Sequence, residues 1–348
     1  MAKFAIENAR GDTVHILILA SPYSTNSQAI LEGEFNQNMK DAEERRLQTE
    51  GACQRNLPDG STLACKVELP PIFSQEDANK PENLAYFSDD VSMIFILGGD
   101  QETGIGAIIN TPVEECINQL HEMGTIIAGT SAGAAMQSRY MIADLTESFT
   151  TVDGLYAGSV KLWNRDGQRG FDFGVANAIV DQHFVQRARM GRLLNVISQP
   201  GNPHLGVGVD AYTGVAIDGG MVRDEFGLYT LTILDTETYH SADAIQYIEV
   251  PGKKTPIISL RNVVLNLMSP GGVSYDLNQR VSSMGSLPAK QDRSFDGFAV
   301  PNDPILDPSF GSLLVFMVSN TPGYRSSISS LLNNWSPSST APLLLFRG

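Results

Sequence analysis

Basic residues are scarce in this chain, cysteines are scarcer, and no apolar run approaches the length of a membrane span. Lys and Arg number 24 against 39 Asp and Glu in 348 residues, a formal net charge of −15 with a sequence pI near 4.7. Such a balance argues against non-specific binding to nucleic acid or anionic membranes and suits a cationic substrate drawn in at long range. Three cysteines are too few for a disulfide scaffold. Cys53 and Cys65 nevertheless flank the loop-like stretch QRNLPDGSTLA, which one bridge could close in an oxidising compartment, while Cys116 lies in a helical pattern and reads as core. The opening MAKFAIENARGD lacks an apolar core of signal-peptide length, so the chain as written reads as soluble and cytoplasmic, although a removed leader would leave no trace. Internal repeats are absent, and no low-complexity tract exceeds SPSSTAP.

What is present, over the first two thirds, is an alternation of short β-rich apolar runs with helical patterns, the signature of an α/β domain. HILILAS (15–21), LACKVEL (63–69), MIFILGG (93–99) and TIIAG (125–129) read as strands, the continuous apolar runs being of the kind covered on both faces in a parallel sheet. A long helix is expected from Ser27 to Arg46, and a short one near Pro81 in PENLAYFSD. Another begins with Thr111 as N-cap and Pro112 at its first position, and stops at Gly124. ANAIVDQHF (176–184) and HLGVGVD (204–210) are further strands, separated by the helical stretch VQRARMGRLLNVIS. Beyond about residue 211 the pattern turns β-rich in GVAIDGG, YTLTILD, IQYIEV and NVVLNLM. The expected division is a domain over 1–284, β-rich after about 211, and a Ser/Pro/Asn/Asp-rich extension over 285–348 that ends in APLLLF.

Three stretches carry chemistry. Gly129-Thr130-Ser131-Ala132-Gly133 fits G-x-S-x-G between a strand and AAMQSRYMIA, which has helical composition. In such an elbow the hydroxyl stands at the carboxyl end of the sheet and the Ala132 amide can donate to a developing oxyanion. The alternative is a Gly-rich packing loop. IFILGGDQ (94–101) also ends a strand, so in a parallel sheet it opens on the same edge as Ser131. Gly98 or Gly99 could complete an oxyanion hole there and Gln101 could read a carboxylate or peptide group; otherwise this is a plain turn with Asp100 as N-cap, and GGD is no metal-ligand pattern. In DQHFVQRARMGRL (181–193), His183 stands at a strand end. Of the five histidines, His15 opens a strand, His121 belongs to a helix, and His204 and His240 lie in loop-like contexts, which leaves His183 as the best base. Arg187, Arg189 and Arg192 follow it; on a helix Arg189 and Arg192 share a face, where they either fork onto carboxylates or neutralise acidic neighbours.

IFILGGDQ, AGTSAGAAMQS and VDQHFVQRARMGRL, in this order, resemble the cyanophycinases, part of a wider serine peptidase family that includes aspartyl dipeptidases of the peptidase E type. The resemblance runs from about residue 15 through GVGVD and, more loosely, to LRNVVLNLMSPGGVSYDLNQR (260–280). It implies a class I glutamine amidotransferase-like α/β fold, a mostly parallel central sheet flanked by helices with a β-rich C-terminal extension. The implied substrate is cyanophycin, a poly-aspartate backbone bearing arginine on each β-carboxyl, cleaved to β-aspartyl-arginine. By motif, Ser131 becomes the nucleophile and His183 its general base, with Gln101, Asp181, Gln182, Arg187, Arg189 and Arg192 shaping the pocket for β-linked aspartate. Neither metal nor organic cofactor is implied, nor a nucleic-acid or membrane partner; a homodimer is, because proteins of this kind often pair.

Two departures matter. Family members place a glutamate after the aspartate of a G-h-G-h-D run, where h is apolar, and that glutamate orients the histidine. Here Gly206-Val207-Gly208-Val209-Asp210 is followed by Ala211. Asp210 could serve if the strand end turns, although successive side chains alternate across a sheet. Three readings stay open: an enzyme using Asp210 or another acid, a homologue with weakened or lost catalysis that still binds β-aspartyl peptides, or a variant altered to hold substrate; an isoaspartyl exo-dipeptidase would share the nucleophile. The second departure is that the family opens with a further strand and a Gly-Gly turn where only MAKFAIENARGD stands. The sheet is therefore expected to lack one strand, or the chain to begin inside a longer precursor.

Overall fold

Four of the expected strands form one parallel sheet. In the computed structural model these are β1 (Thr13–Leu19), β2 (Thr62–Glu68), β3 (Val91–Ile96) and β4 (Ile126–Thr130), in the order β2-β1-β3-β4. The structure describes residues 2–56, 62–237, 246–249, 251–252, 254–268, 273–284 and 343–347. All six residues of β3 are buried, as are all but the first of β1, which is what coverage of both faces requires. The chain divides into two compact units, residues 1–141, 163–174 and 344–348 in one, and 142–162 and 175–343 in the other.

In the first unit, helices α1 (Glu34–Cys53), α2 (Gln101–Gly106), α3 (Pro112–Glu122) and α4 (Ala132–Ala135) accompany the sheet. The helix expected over 27–46 is broken: Ser27–Leu31 ends before Gly33, whose φ of 74° no right-handed helix admits, and α1 then runs on to Cys53. Cys53 is bonded to Cys65 of β2, with Cα atoms 5.8 Å apart. Residues 57–61 of the loop they enclose lie outside the described residues. α3 starts as its sequence dictates, with Thr111 as N-cap and Pro112 in the first turn, and Gly124 follows it at φ 92°. The helical reading of AAMQSRYMIA is corrected: only Ala132–Ala135 is helical, and Met141–Leu145 is a strand.

The second unit contains β5 (Ile179–Gln182), α5 (Met190–Ser198), β6 (Leu205–Val209), β7 (Thr213–Asp218), β8 (Met221–Gly227), β9 (Leu231–Asp235) and β10 (Val264–Met268). β5 and β6 are parallel, whereas β9 and β10 add antiparallel, giving the order β10-β9-β6-β5. β7 and β8 form a hairpin closed by Gly219 and Gly220, both at positive φ. The alternating glycines of β6 have a packing reason: a Cβ on Gly206 would stand 2.8 Å from Leu193 Cγ of α5, and one on Gly208 would enter the Phe184 ring. The helix expected from Val185 begins only at Met190. Residues 285–342 of the expected extension, His240, and parts of IQYIEV and APLLLF lie outside the described residues; 343–347 form a strand. Among the described residues no helix is long and apolar enough to cross a membrane, and no cluster of three or more His, Cys, Asp or Glu could hold a metal ion.

Candidate active site

In the first unit, one set of candidate residues gathers at the carboxyl ends of β3 and β4. Ser131 follows β4 directly and precedes α4, and its backbone sits at φ 53°, ψ −113°. A non-glycine residue adopts such a conformation only where its surroundings impose it. The flanking glycines impose it by close approach: a Cβ on Gly129 would fall on the carbonyl of Gly133, and one on Gly133 would fall on the carbonyl of Ile96. Parallel pairing of Ile96 with Gly129 brings the next turn alongside, so that a Cβ on Gly98 would lie 3.1 Å from Ser131 Cβ and 3.7 Å from its Oγ. Gly99 has φ 137° and no room for a side chain against the carbonyl of Pro22. Asp100 is the N-cap of α2, its Oδ1 accepting from the Thr103 amide at 2.6 Å, and Gln101, half-buried, opens that helix. Gly98, Gly99, Gln101, Ser131 and Ala132 thus share one sheet edge.

In the second unit, a second set of candidate residues gathers at the end of β5. Asp181 is fully buried; burial alone would raise its carboxyl, yet bidentate contact with Arg192 and the nearby Arg189 hold it below the usual value. Arg189 Nη1 lies 3.7 Å from Asp181 Oδ1 and donates to the Gln182 carbonyl at 2.6 Å. Its burial and the charge of Arg192 lower it to about 9. Arg189 and Arg192 therefore share Asp181 although only Arg192 is inside the helix, whereas Arg187 is exposed with no ion pair among the described residues. Gln182 Oε1 and Arg189 Nε are buried without hydrogen-bond partners among those residues.

His183 follows at φ 48°, largely buried. Burial first, then the charges of Arg187 and Arg189, push its pKa down to about 3. Asp210 is completely buried and both its oxygens are engaged: Oδ1 accepts from Val185 N at 3.1 Å, and Oδ2 from Thr230 Oγ1 at 2.8 Å and Thr230 N at 3.3 Å. Burial raises it to about 6. Ala211, 2 % exposed, donates its amide to Gln186 Oε1 at 2.9 Å. Nearby, Glu225 accepts from Leu231 N through Oε1 while Oε2 is buried without a partner among the described residues, and burial pushes it up to about 8. Sequence reasoning missed Gln186, Thr230 and Glu225, because what engages each of them is set by burial and by partners outside its own element.

The other described histidines have structural partners. His15 lies between Asp90 and Glu68, at 3.2 and 2.7 Å, His121 packs on Phe173, and His204 Nδ1 meets the Ile197 carbonyl at 2.8 Å.

Fold and site together define an α/β protein with a serine held in an elbow at the carboxyl edge of a parallel sheet. No model of a known protein family matches the chain. Individual proteins do. The cyanophycinase of Trichormus variabilis is 32 % identical over 220 residues, 62 % of this chain and 66 % of that one. Cyanophycinases of Geminocystis herdmanii and Synechococcus elongatus are 33 % identical over 151 residues and 30 % over 210, covering 43 % and 59 % of this chain and 51 % and 59 % of theirs. The chain is thus similar to proteins named cyanophycinase, as its motifs imply, and spans less than two thirds of their length. A solved peptidase from an acI-B1 Actinobacterium overlaps at a TM-score of 0.40 with 17 % identity, over 76 % of this chain and 88 % of that one, too slight a likeness to bear on the fold.

Proposed function

We propose that this chain is a serine-type peptidase of the cyanophycinase kind, with a class I glutamine amidotransferase-like fold, which cleaves cyanophycin or related β-aspartyl-arginine peptides to β-aspartyl-arginine. The observation that carries the reading is the left-handed backbone of Ser131 in a glycine-walled elbow. Ser131 Oγ attacks the scissile carbonyl as its proton passes to His183, and the amides of Gly98, Gly99 and Ala132 receive the oxyanion. Collapse expels the amine, which takes the proton back from His183, and water then hydrolyses the acyl-enzyme. Gln101, Gln182, Arg187 and Arg189 read the β-linked aspartate. The buried, unpartnered Gln182 Oε1 and Arg189 Nε supply polar groups for it, while Asp181 and Arg192 brace Arg189.

The test is release of β-aspartyl-arginine from purified cyanophycin by the wild type, by Ser131→Ala and by Ala211→Glu. Ser131→Ala is expected to lose at least about a thousandfold in kcat, and a carboxylate at 211 to raise kcat. Absence of product from a folded wild type and from Ala211→Glu alike would remove the assignment. A second reading, a binder of β-aspartyl peptides without turnover, draws on Ala211 and on the engagement of both Asp210 oxygens by Val185 and Thr230. It requires saturable binding by calorimetry and no reaction of Ser131 with a serine-directed phosphonate.

A further inference from the structure

The left-handed backbone of His183 is held from both sides. Before it, Gln182 pairs with Val209 in the parallel ladder and its carbonyl accepts from Arg189. After it, the chain folds back: Arg187 N donates to the His183 carbonyl at 3.0 Å and Arg189 N to that of Phe184 at 2.9 Å. The turn so formed is sewn to the end of β6. Phe184 N donates to the Val209 carbonyl at 3.2 Å, Val185 N to Asp210 Oδ1 at 3.1 Å, and Ala211 N to Gln186 Oε1 at 2.9 Å. Two side chains cross the seam in opposite directions, Asp210 from the strand end and Gln186 from the turn. Asp210 is itself fixed by Thr230, two bonds on Oδ2 that leave Oδ1 aimed at the turn.

A strained residue persists only when its neighbours over-determine it, and these bonds do so for His183, the base of the proposed reaction, whose ring direction that reaction depends on. We propose that Asp210 and Gln186 are positioning residues that orient His183 by clamping the turn after it, with no acid at position 211 acting on the ring. The role in hydrolysis rests on His183 being the general base; the clamp itself does not. Ala211 takes part through its backbone amide, which Gln186 holds within the buried seam.

Asp210→Ala, Asp210→Asn and Gln186→Ala test this against the wild type. Three readouts are needed: histidine-ring nitrogen NMR, with the His183 signal assigned by its loss in His183→Ala; hydrogen exchange over 183–189; and kcat and KM on cyanophycin. Asp210→Ala and Gln186→Ala are expected to move or broaden the His183 ring signals and speed exchange over the turn. They are also expected to lower kcat by up to about a hundredfold at little-changed KM. Asp210→Asn keeps one oxygen for the Val185 amide and should recover much of the loss. Wild-type ring signals and exchange in Asp210→Ala and Gln186→Ala would overturn the proposal. Should Asp210→Ala not fold, Gln186→Ala, which removes one half-buried amide, decides alone. Absence of hydrolysis in every form, wild type included, would end the peptidase reading, while ring signals and exchange still decide the clamp.

Discussion

At His183 two demands meet. A base must be neutral to accept a serine proton, and burial together with Arg187 and Arg189 keeps the imidazole neutral down to about pH 3. In the proposed reaction the same forces would make it a weak proton acceptor until a substrate carboxylate offsets the guanidinium charge. The acid limb of kcat/KM in the free protein should therefore lie near pH 3 to 4, well below the range of an ordinary histidine. Arg187, exposed and without an ion pair among the described residues, is the member of the cluster that can be neutralised without breaking either ion pair of Asp181. Arg187→Gln should raise the His183 pKa, read by NMR titration of the ring; an unchanged titration would mean that Arg187 does not contribute to it.

At the scale of elements, the elbow depends on the contact of β3, β4 and α4, and glycine is required where backbones touch. Gly133→Ala places a methyl on the Ile96 carbonyl, where no flexible side chain can yield. It should cost about 1–3 kcal/mol in urea unfolding and slow phosphonate labelling of Ser131. Gly106→Ala, at the end of α2 with nothing within 4 Å of the new methyl, is the control and should be neutral or mildly stabilising. The elbow was legible beforehand because glycine spacing and a continuous apolar strand are local signals. The turn over 185–189 was not. Its composition favours helix, and what denies it helix are bonds from Val209 and Asp210, more than twenty residues away.

For the molecule as a whole, three buried groups tilt stability with pH, His183 in one sense and Glu225 and Asp210 in the other. The lowered pKa of His183 means that the unfolded chain binds the extra proton, so stability falls as pH drops below about 6.5 toward 3. Glu225 is raised to about 8 by burial, with the charge of Asp210 adding to it. Its contribution is complete below about 4.5 and is lost as pH rises through 8, and Asp210, raised to about 6, acts in the same direction. Stability should therefore be greatest in mildly acid solution. Glu225→Gln should remove a loss of the order of a few kcal/mol between pH 5 and 9, seen as a smaller fall in Tm over that range by calorimetry. An equal fall in both proteins would show that Glu225 is not the group responsible.

Sequence by itself determined the elements whose causes are local: the strands of the parallel sheet, three of them from apolar runs that a doubly covered sheet accommodates, the Thr111-Pro112 helix start, and the elbow at Ser131. Tertiary structure decided where charge and hydrogen bonds go. It spent Arg192 on Asp181, joined Cys53 to Cys65, turned Asp210 onto Val185 and Thr230, and gave the Ala211 amide to Gln186. Periodicity records which face of an element is buried. It carries no record of which polar group, tens of residues away, satisfies a buried donor, because that is fixed only when the chain has folded back on itself.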